Sequence, residues 1–469
     1  MRRHAVVMLA ALGMVAAGCL GQPEEEPAGE PGAAIRNADA KDVTLVVTAN
    51  AVAGGKNAAS AAWMENWVIP NFVAAQKAKG VNATVTFEGN GGADEQYKTK
   101  IALDLKTGGG ADIVNLDGIW VGEFADAGYI KQLTDVAGPA VDEWDGWRQI
   151  PEAVQGLGEF DGKRYAVPNG TDGRVLYFNK KLFAQAGLPA DWQPTSWDEV
   201  ITAAQQLKGI PGITPIQLNG GTAMGEATTM QGVLPALVGT GAEVYADGKW
   251  QGDTPNVTKV LELYERIYGA GLGDPLLQQE AKGRDKSFQL FAENKIGILL
   301  EGDYLWRGVL EPTVGVAKMA DRDTAVGWAK IPAFSPGGGI RGQDFVSMSG
   351  GGVRVINPNT EYPAQAWELL QFMNSAAALK AELAGQARVT QREDVNAEIL
   401  AGDPLLSFIA KEVLPITAYR PGLAAYPQVS AALQQATADV IAGKSVPVAA
   451  AAYREAVARA VGEDKVATG

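Results

Sequence analysis

Strand-like and helix-like stretches alternate along most of this chain, and that alternation limits the fold more than any other feature. Residues 42–48 (DVTLVVT) read as a strand, and 61–79 as a helix with apolar Trp63, Trp67, Phe72 and Val73 and a bend at Pro70. A strand over 82–87, a helix over 96–106 and a strand over 111–116 follow. The second half repeats the alternation, with VLYFN at 175–179, helices over 181–186 and 197–207, KIGILL at 295–300, a strand at 351–355, and an Ala-rich helical stretch from 430 to 461. Such alternation predicts parallel sheets with right-handed crossovers. About 425 residues of this kind exceed what one domain usually holds. Glycine-rich breaks fall at 108–110, 169–173 and 335–342; the last two lie between strand-like segments and are expected to be interdomain strands or hinges.

The chain begins Met1-Arg2-Arg3-His4 and then runs uncharged from 5 to 17. That run is too short to span a bilayer, which needs about 20 apolar residues, but it suits a signal-peptide core. Ala16-Ala17-Gly18-Cys19 resembles the bacterial lipobox, with Ala16 where that motif usually has leucine. The resemblance implies that Cys19 takes a diacylglycerol and becomes the mature N-terminus. Residues 1–19 are therefore expected to be a lipoprotein signal peptide. Residues 20–41, with Pro, Gly, Ala and Glu and little apolar bulk, are expected to be a flexible tether. Attachment through more than one acyl chain is stable, which places the body at the extracytoplasmic face of the cell membrane, on the cell surface or in the periplasm.

Acidic residues outnumber basic ones by 54 to 40, a net charge of −14, and the excess grows once Arg2 and Arg3 are removed. This argues against nucleic acid or an anionic membrane face as a partner. Cys19 is the only cysteine, so no disulfide can form within the chain. His4, the only histidine, lies in the expected leader. Ser-His-Asp and Cys-His catalysis and a His-rich metal site are thereby excluded from the mature chain. No local carboxylate pair, nucleophile motif or phosphate loop calls for catalysis, so no enzyme activity, cofactor or metal is expected.

Several ordered segments are similar to the extracellular family 1 sugar-binding proteins of ABC importers, with the maltose- and trehalose-binding members as the nearest comparison. They are Gly108–Asp112 with DGIW at 117–120 and FADAGYI at 124–130; YAVP at 165–168 with TDGRVLYFNK at 171–180 and LFAQAGL at 182–188; and TSWDE at 195–199. Further on stand Phe288 with KIGILLEGD at 295–303, GGGV at 350–353 with Asn357-Pro358-Asn359 and 364–373, and Arg420-Pro421 with YPQVS at 426–430. The resemblance covers 42 to about 460. It implies an α/β, two-lobed, periplasmic-binding-protein-like (type II) fold with a hinge crossed three times and a central ligand cleft. One lobe would hold 42–168 and 340–387, the other 170–337 and 388–465. The chain would be a monomer that captures a carbohydrate, an oligosaccharide by this comparison, and delivers it to the transmembrane permease subunits. The same scaffold binding glycerol phosphate, a polyamine or a peptide is the alternative.

Sugar sites set aromatic faces against the ring and fix hydroxyls with carboxylates, amides and guanidinium groups. Asp117 and Trp120 follow a strand end, where open α/β sheets place ligands. By resemblance, Asp172 at the first crossing faces the sugar, with Arg174 beside it. Glu301, Asp303, Tyr304 and Trp306 follow KIGILL, where relatives carry a stacking aromatic; Tyr304 matches that place best. Gly351 lies among paired glycines that relatives follow with a ring; Val353 stands here instead, leaving backbone N–H groups as the expected contact. Arg420 matches an arginine that reaches the cleft. Asn50, Asn90, Lys56 and Asn57 follow the first two strands and are expected hydroxyl partners.

Overall fold

The computed structural model describes residues 35–55 and 57–469. Cys19, the leader, most of the tether and Lys56 lie outside the described residues. From Ile35 onward the chain is one contact unit. Among the described residues, no helix is long and apolar enough to cross a membrane.

The strands form where the sequence is β-branched or apolar, with edges that differ from expectation by a residue or two. Five make a first sheet in the order Asn82–Gly89, Asp42–Ala49, Ile113–Asp117, Gly352–Ile356, Val167–Pro168. Four make a second, in the order Val326–Ala329, Arg174–Asn179, Ile296–Gly302, Thr214–Gln217. Asp42–Ala49 alternates in burial, with Val43, Leu45 and Val47 turned inward. Ile296–Gly302 is buried along its whole length, as a strand covered on both faces must be. One of the helices over that second sheet, Pro255–Gly269, is capped by the Thr254 hydroxyl and buries Val257, Val260, Leu261, Tyr264 and Ile267. The expected helix over 61–79 is real but interrupted: a π-helical turn at Met64–Val68 joins Ala58–Trp63 to Ile69–Ala78, just ahead of Pro70.

The sheets are mixed, not parallel throughout. Asp42–Ala49 runs parallel to both its neighbours. Gly352–Ile356 runs antiparallel to Ile113–Asp117 and to Val167–Pro168, and Arg174–Asn179 runs antiparallel to Ile296–Gly302 and Val326–Ala329. Arg174–Asn179 follows directly on Val167–Pro168 of the first sheet, and Gly352–Ile356 enters the first sheet from Phe345–Met348, a strand of a separate three-stranded sheet.

The crossings at 169–173 and 349–351 lie side by side. Asn169 N donates to Gly352 O at 2.9 Å, Gly350 N donates to the Asp172 carboxylate at 2.7 Å, and Ser349 Oγ donates to Asp172 O. A Cβ on Gly351 would stand 2.1 Å from Gly170 O, so only glycine fits there. The glycine-rich stretch 335–342 is instead a hairpin turn. It joins Ile331–Pro332 to Phe345–Met348 in antiparallel pairing, and Phe345–Met348 runs parallel beside Thr417–Ala418. Glycine marks a tight turn and a close crossing alike, so composition alone does not separate the two.

Candidate functional site

Beside the paired crossings opens a cleft of about 340 Å³, at the small end of the range for ligand sites. Its walls come from the C-terminal end of Asp42–Ala49, the helix Ala58–Trp63, residues 169–172 and 350–352, and Arg307. Asn50, Asn57, Ser60, Asn115, Asn169, Thr171 and Asp172 supply most of the polar lining, and Trp63 and Phe87 the rings.

Asp172 is built into the crossing. One carboxylate oxygen accepts from Gly350 N and is paired with Arg174 Nη1, while the side chain keeps 31% of its surface exposed. The second oxygen has no hydrogen bond among the described residues. Arg174 does not line the cleft; it is buried, also donates to Met348 O at 3.3 Å, and holds Asp172 in place. Arg420 comes near the same crossing from outside the cleft's lining, in a separate recess with Phe160 and Tyr419. The position a Cβ would take on Gly350 lies 3.8 Å from both Arg420 Nη2 and Asp172 Oδ1. Arg420 Nη1 donates to Glu226 Oε1 at 3.1 Å, and Glu226 in turn accepts from the hydroxyls of Tyr426 and Ser430.

Asp117 caps the turn after its strand, accepting from Ile119 N at 3.1 Å. Desolvation by the surrounding protein raises its carboxyl above the usual range; the Ile119 amide and Arg420 oppose the shift, and Asp94 and Asp172 add to it. Asp303 is buried and is pushed up to about 6, by burial first; Arg307 opposes, Asp172 adds to the rise and Arg174 opposes it. Its Oδ1 accepts from Arg307 Nε at 3.3 Å, while its buried Oδ2 has no partner among the described residues. Tyr304 is 44% exposed, with the Arg307 guanidinium 5.7 Å from its ring centre. Asn50 lines the cleft and donates to Asp94 at 2.8 Å. Gly351 lines it through its backbone.

Of the expected site residues, Asn50, Asn57, Asp172 and Gly351 line this cleft; Asp117, Arg174, Asp303, Tyr304 and Arg420 stand off its lining, and Trp120, Trp306 and Asn90 are engaged elsewhere. Trp120 is buried in the core of the first sheet, packed near Tyr97 with Lys98 Nζ 5.9 Å from its ring centre. Trp306 is 3% exposed; its indole donates to Asp403 at 3.0 Å, Arg322 stacks 3.7 Å over it and Trp328 meets it edge-on. Neither ring faces the cleft. Asn90 turns onto its own backbone and accepts from Gly92 N at 2.8 Å. Glu301 is also internal, in a two-bond pair with Arg284.

The motifs gave no pointer to Asn115, Asn169, Glu226, Arg307, Arg354 and Arg388. Asn169 donates to Asn115 across the mouth of the first crossing. Arg354 is the one with a signal of its own: a charge inside the strand GVRVI, whose other residues are mostly buried. Burial lowers its pKa from the ordinary guanidinium value; Glu382 raises it and Arg388 lowers it further.

Residues 32–380 match the sequence model of the bacterial extracellular solute-binding proteins. A protein of Brucella abortus (strain 2308), named only as a binding protein, is 25% identical over 371 residues, 77% of this chain and 81% of its own length. A solute-binding protein of an ABC transporter from Thermotoga lettingae TMO, solved bound with α-D-tagatose, has a TM-score of 0.59 at 23% identity, covering 88% of this chain and 99% of that one. The cyclic α-maltosyl-1,6-maltose binding protein of Arthrobacter globiformis has a TM-score of 0.68 at 20% identity, covering 90% and 99%. At these identities the two structures show the fold, and it is two-lobed.

Proposed function

Because the chain belongs to the bacterial extracellular solute-binding proteins, we propose that it captures a sugar between its lobes and hands it to the permease of an ABC importer. The observation that carries this reading is Asp172, which lines the cleft and is bonded to Gly350 on the crossings where the two sheets join. A carboxylate with a free oxygen and a fringe of asparagine amides can fix hydroxyls in both donor and acceptor directions. Asp172 belongs to the crossing itself, so a guest bound there biases the lobe arrangement by differential contact. The sugar-binding relatives among the similar structures support the same ligand class. The small cleft, with Trp63 and Phe87 as its rings, fits a short sugar better than a long oligosaccharide.

The remaining expectations join this reading. The body acts as a monomer at the extracytoplasmic face, tethered by lipid on Cys19 after loss of residues 1–18. The lobes divide near 169–173 and 349–351, which moves the second boundary from 340 to the crossing. The family and fold are those of binding proteins, and the site needs no catalytic chemistry. A thermal-shift screen of the protein against mono- and oligosaccharides tests the reading: a bound ligand raises Tm by linkage. With glycerol phosphate, polyamines and peptides added to the same screen, a rise with sugars supports the reading, and a rise only with one of those replaces the ligand class.

A further inference from the structure

Past the crossings the cleft runs into a recess of the first lobe that hydroxyl recognition by Asp172 leaves unused. Arg354 stands in that wall, between the buried Val353 and Val355. It is 5% exposed, it lines the cleft, and its guanidinium lies 5.2 Å from the Trp63 ring centre. Among the described residues it donates no hydrogen bond and its buried Nη1 has no partner. Arg388 lines the same recess and stands 3.7 Å from Glu382, whose same oxygen accepts from the Ser60 hydroxyl at 3.4 Å. Glu382 is the carboxylate whose charge reaches Arg354, but no ion pair joins them among the described residues, and Glu382 is engaged by Arg388 and Ser60.

A cation held out of water without an acceptor is costly, and buried polar groups are almost always satisfied. The group that would satisfy Arg354 must enter through the cleft. A planar guanidinium fork matches the paired oxygens of a carboxylate or a phosphate ester. We infer that this recess receives an acidic substituent on the captured sugar, so that the solute is an anionic carbohydrate, with Arg354 and Arg388 setting that preference. The inference rests on the sugar reading and narrows it. Asp172 would hold hydroxyls at the crossings while the acid lies against Arg354, away from the Asp172 carboxylate.

The test is titration calorimetry on the full chain with glucose, galactose and mannose, each as the neutral hexose, the hexuronate and the 6-phosphate. The expected result is that one acidic form binds at least about tenfold tighter than its neutral parent. Whether the uronate or the phosphate does so identifies the acid. Arg354→Met, which keeps much of the side-chain volume, is expected to cut the acid-to-neutral ratio at least about fivefold. Arg388→Gln, at a more exposed position, lowers the ratio in the same direction and guards against a folding failure of the first variant; the wild-type ratio needs no variant. Neutral hexose binding as tightly as both acids overturns the inference and leaves the sugar reading standing. An acid preference that survives both substitutions overturns it too. No binding across the panel overturns the inference, and the thermal-shift screen with oligosaccharides then decides the sugar reading.

Discussion

Asp172→Ala separates two roles that the structure gives to one carboxylate. The side chain accepts from Gly350 N at 2.7 Å and neutralises the buried Arg174. Without it the Arg174 guanidinium keeps, among the described residues, only Met348 O at 3.3 Å, and its Nε has no partner among them. Breaking a fully buried ion pair costs about 3–5 kcal/mol. Asp172 is 31% exposed, and solvent screening reduces the expected loss of stability to about 2 kcal/mol. Asp172→Asn retains an acceptor for Gly350 and is expected to lose about half of that. The second role is ligand capture, where removing a charge-assisted bond to a hydroxyl weakens sugar binding about ten- to hundredfold. Urea unfolding followed by circular dichroism reads the first effect. Calorimetry well below the unfolding transition reads the second. Full sugar affinity in Asp172→Ala would refute its contact with ligand. Unchanged stability would refute the brace between the crossings.

Asp303 gives a pH signature. Its folded-state carboxyl holds its proton up to about pH 6, against about 4 for an ordinary aspartate, so the native state binds the extra proton between those values. This group's contribution therefore makes stability fall as pH rises from about 4 to 6, by about 3 kcal/mol, and then level off; Asp303→Asn should remove that limb, and identical wild-type and variant pH curves would contradict it. Trp306→Ala is expected to cost about 3–5 kcal/mol of stability while leaving sugar affinity unchanged in the folded protein; an affinity loss without destabilisation would return the indole to the site. Gly351→Ala forces a methyl to within 2.1 Å of Gly170 O and should destabilise by about 2 kcal/mol or more and weaken binding; a neutral result would mean that the crossings separate easily.

The strands and most helices were legible because burial leaves its period in the sequence: DVTLVVT alternates, while KIGILL, covered on both faces, is apolar throughout. Strand direction was not legible, because Gly352–Ile356 and Arg174–Asn179 take theirs from long-range crossings. Of the acids expected at strand ends and crossings, Asp172 lines the cleft, while Asp117 and Asp303 do not. Neither do the expected rings. A tryptophan just after a strand can turn to the cleft or to the core, and only the packing of Tyr97 on Trp120 and of Arg322 on Trp306 decides it. Glu226 was invisible because its partners, Arg420, Tyr426 and Ser430, come from about 200 residues away. Arg354 was visible as a lone charge among valines, but its lack of a partner is a property of the folded cleft.

A crystal structure of the protein grown with the tightest-binding sugar of the thermal screen tests the central claim most directly. Density for the sugar between the lobes, with Asp172 within hydrogen-bonding distance of its hydroxyls and residues of both walls touching it, is the expected result. A sugar seated on an outer surface, with the cleft beside Gly350 left empty, would contradict it.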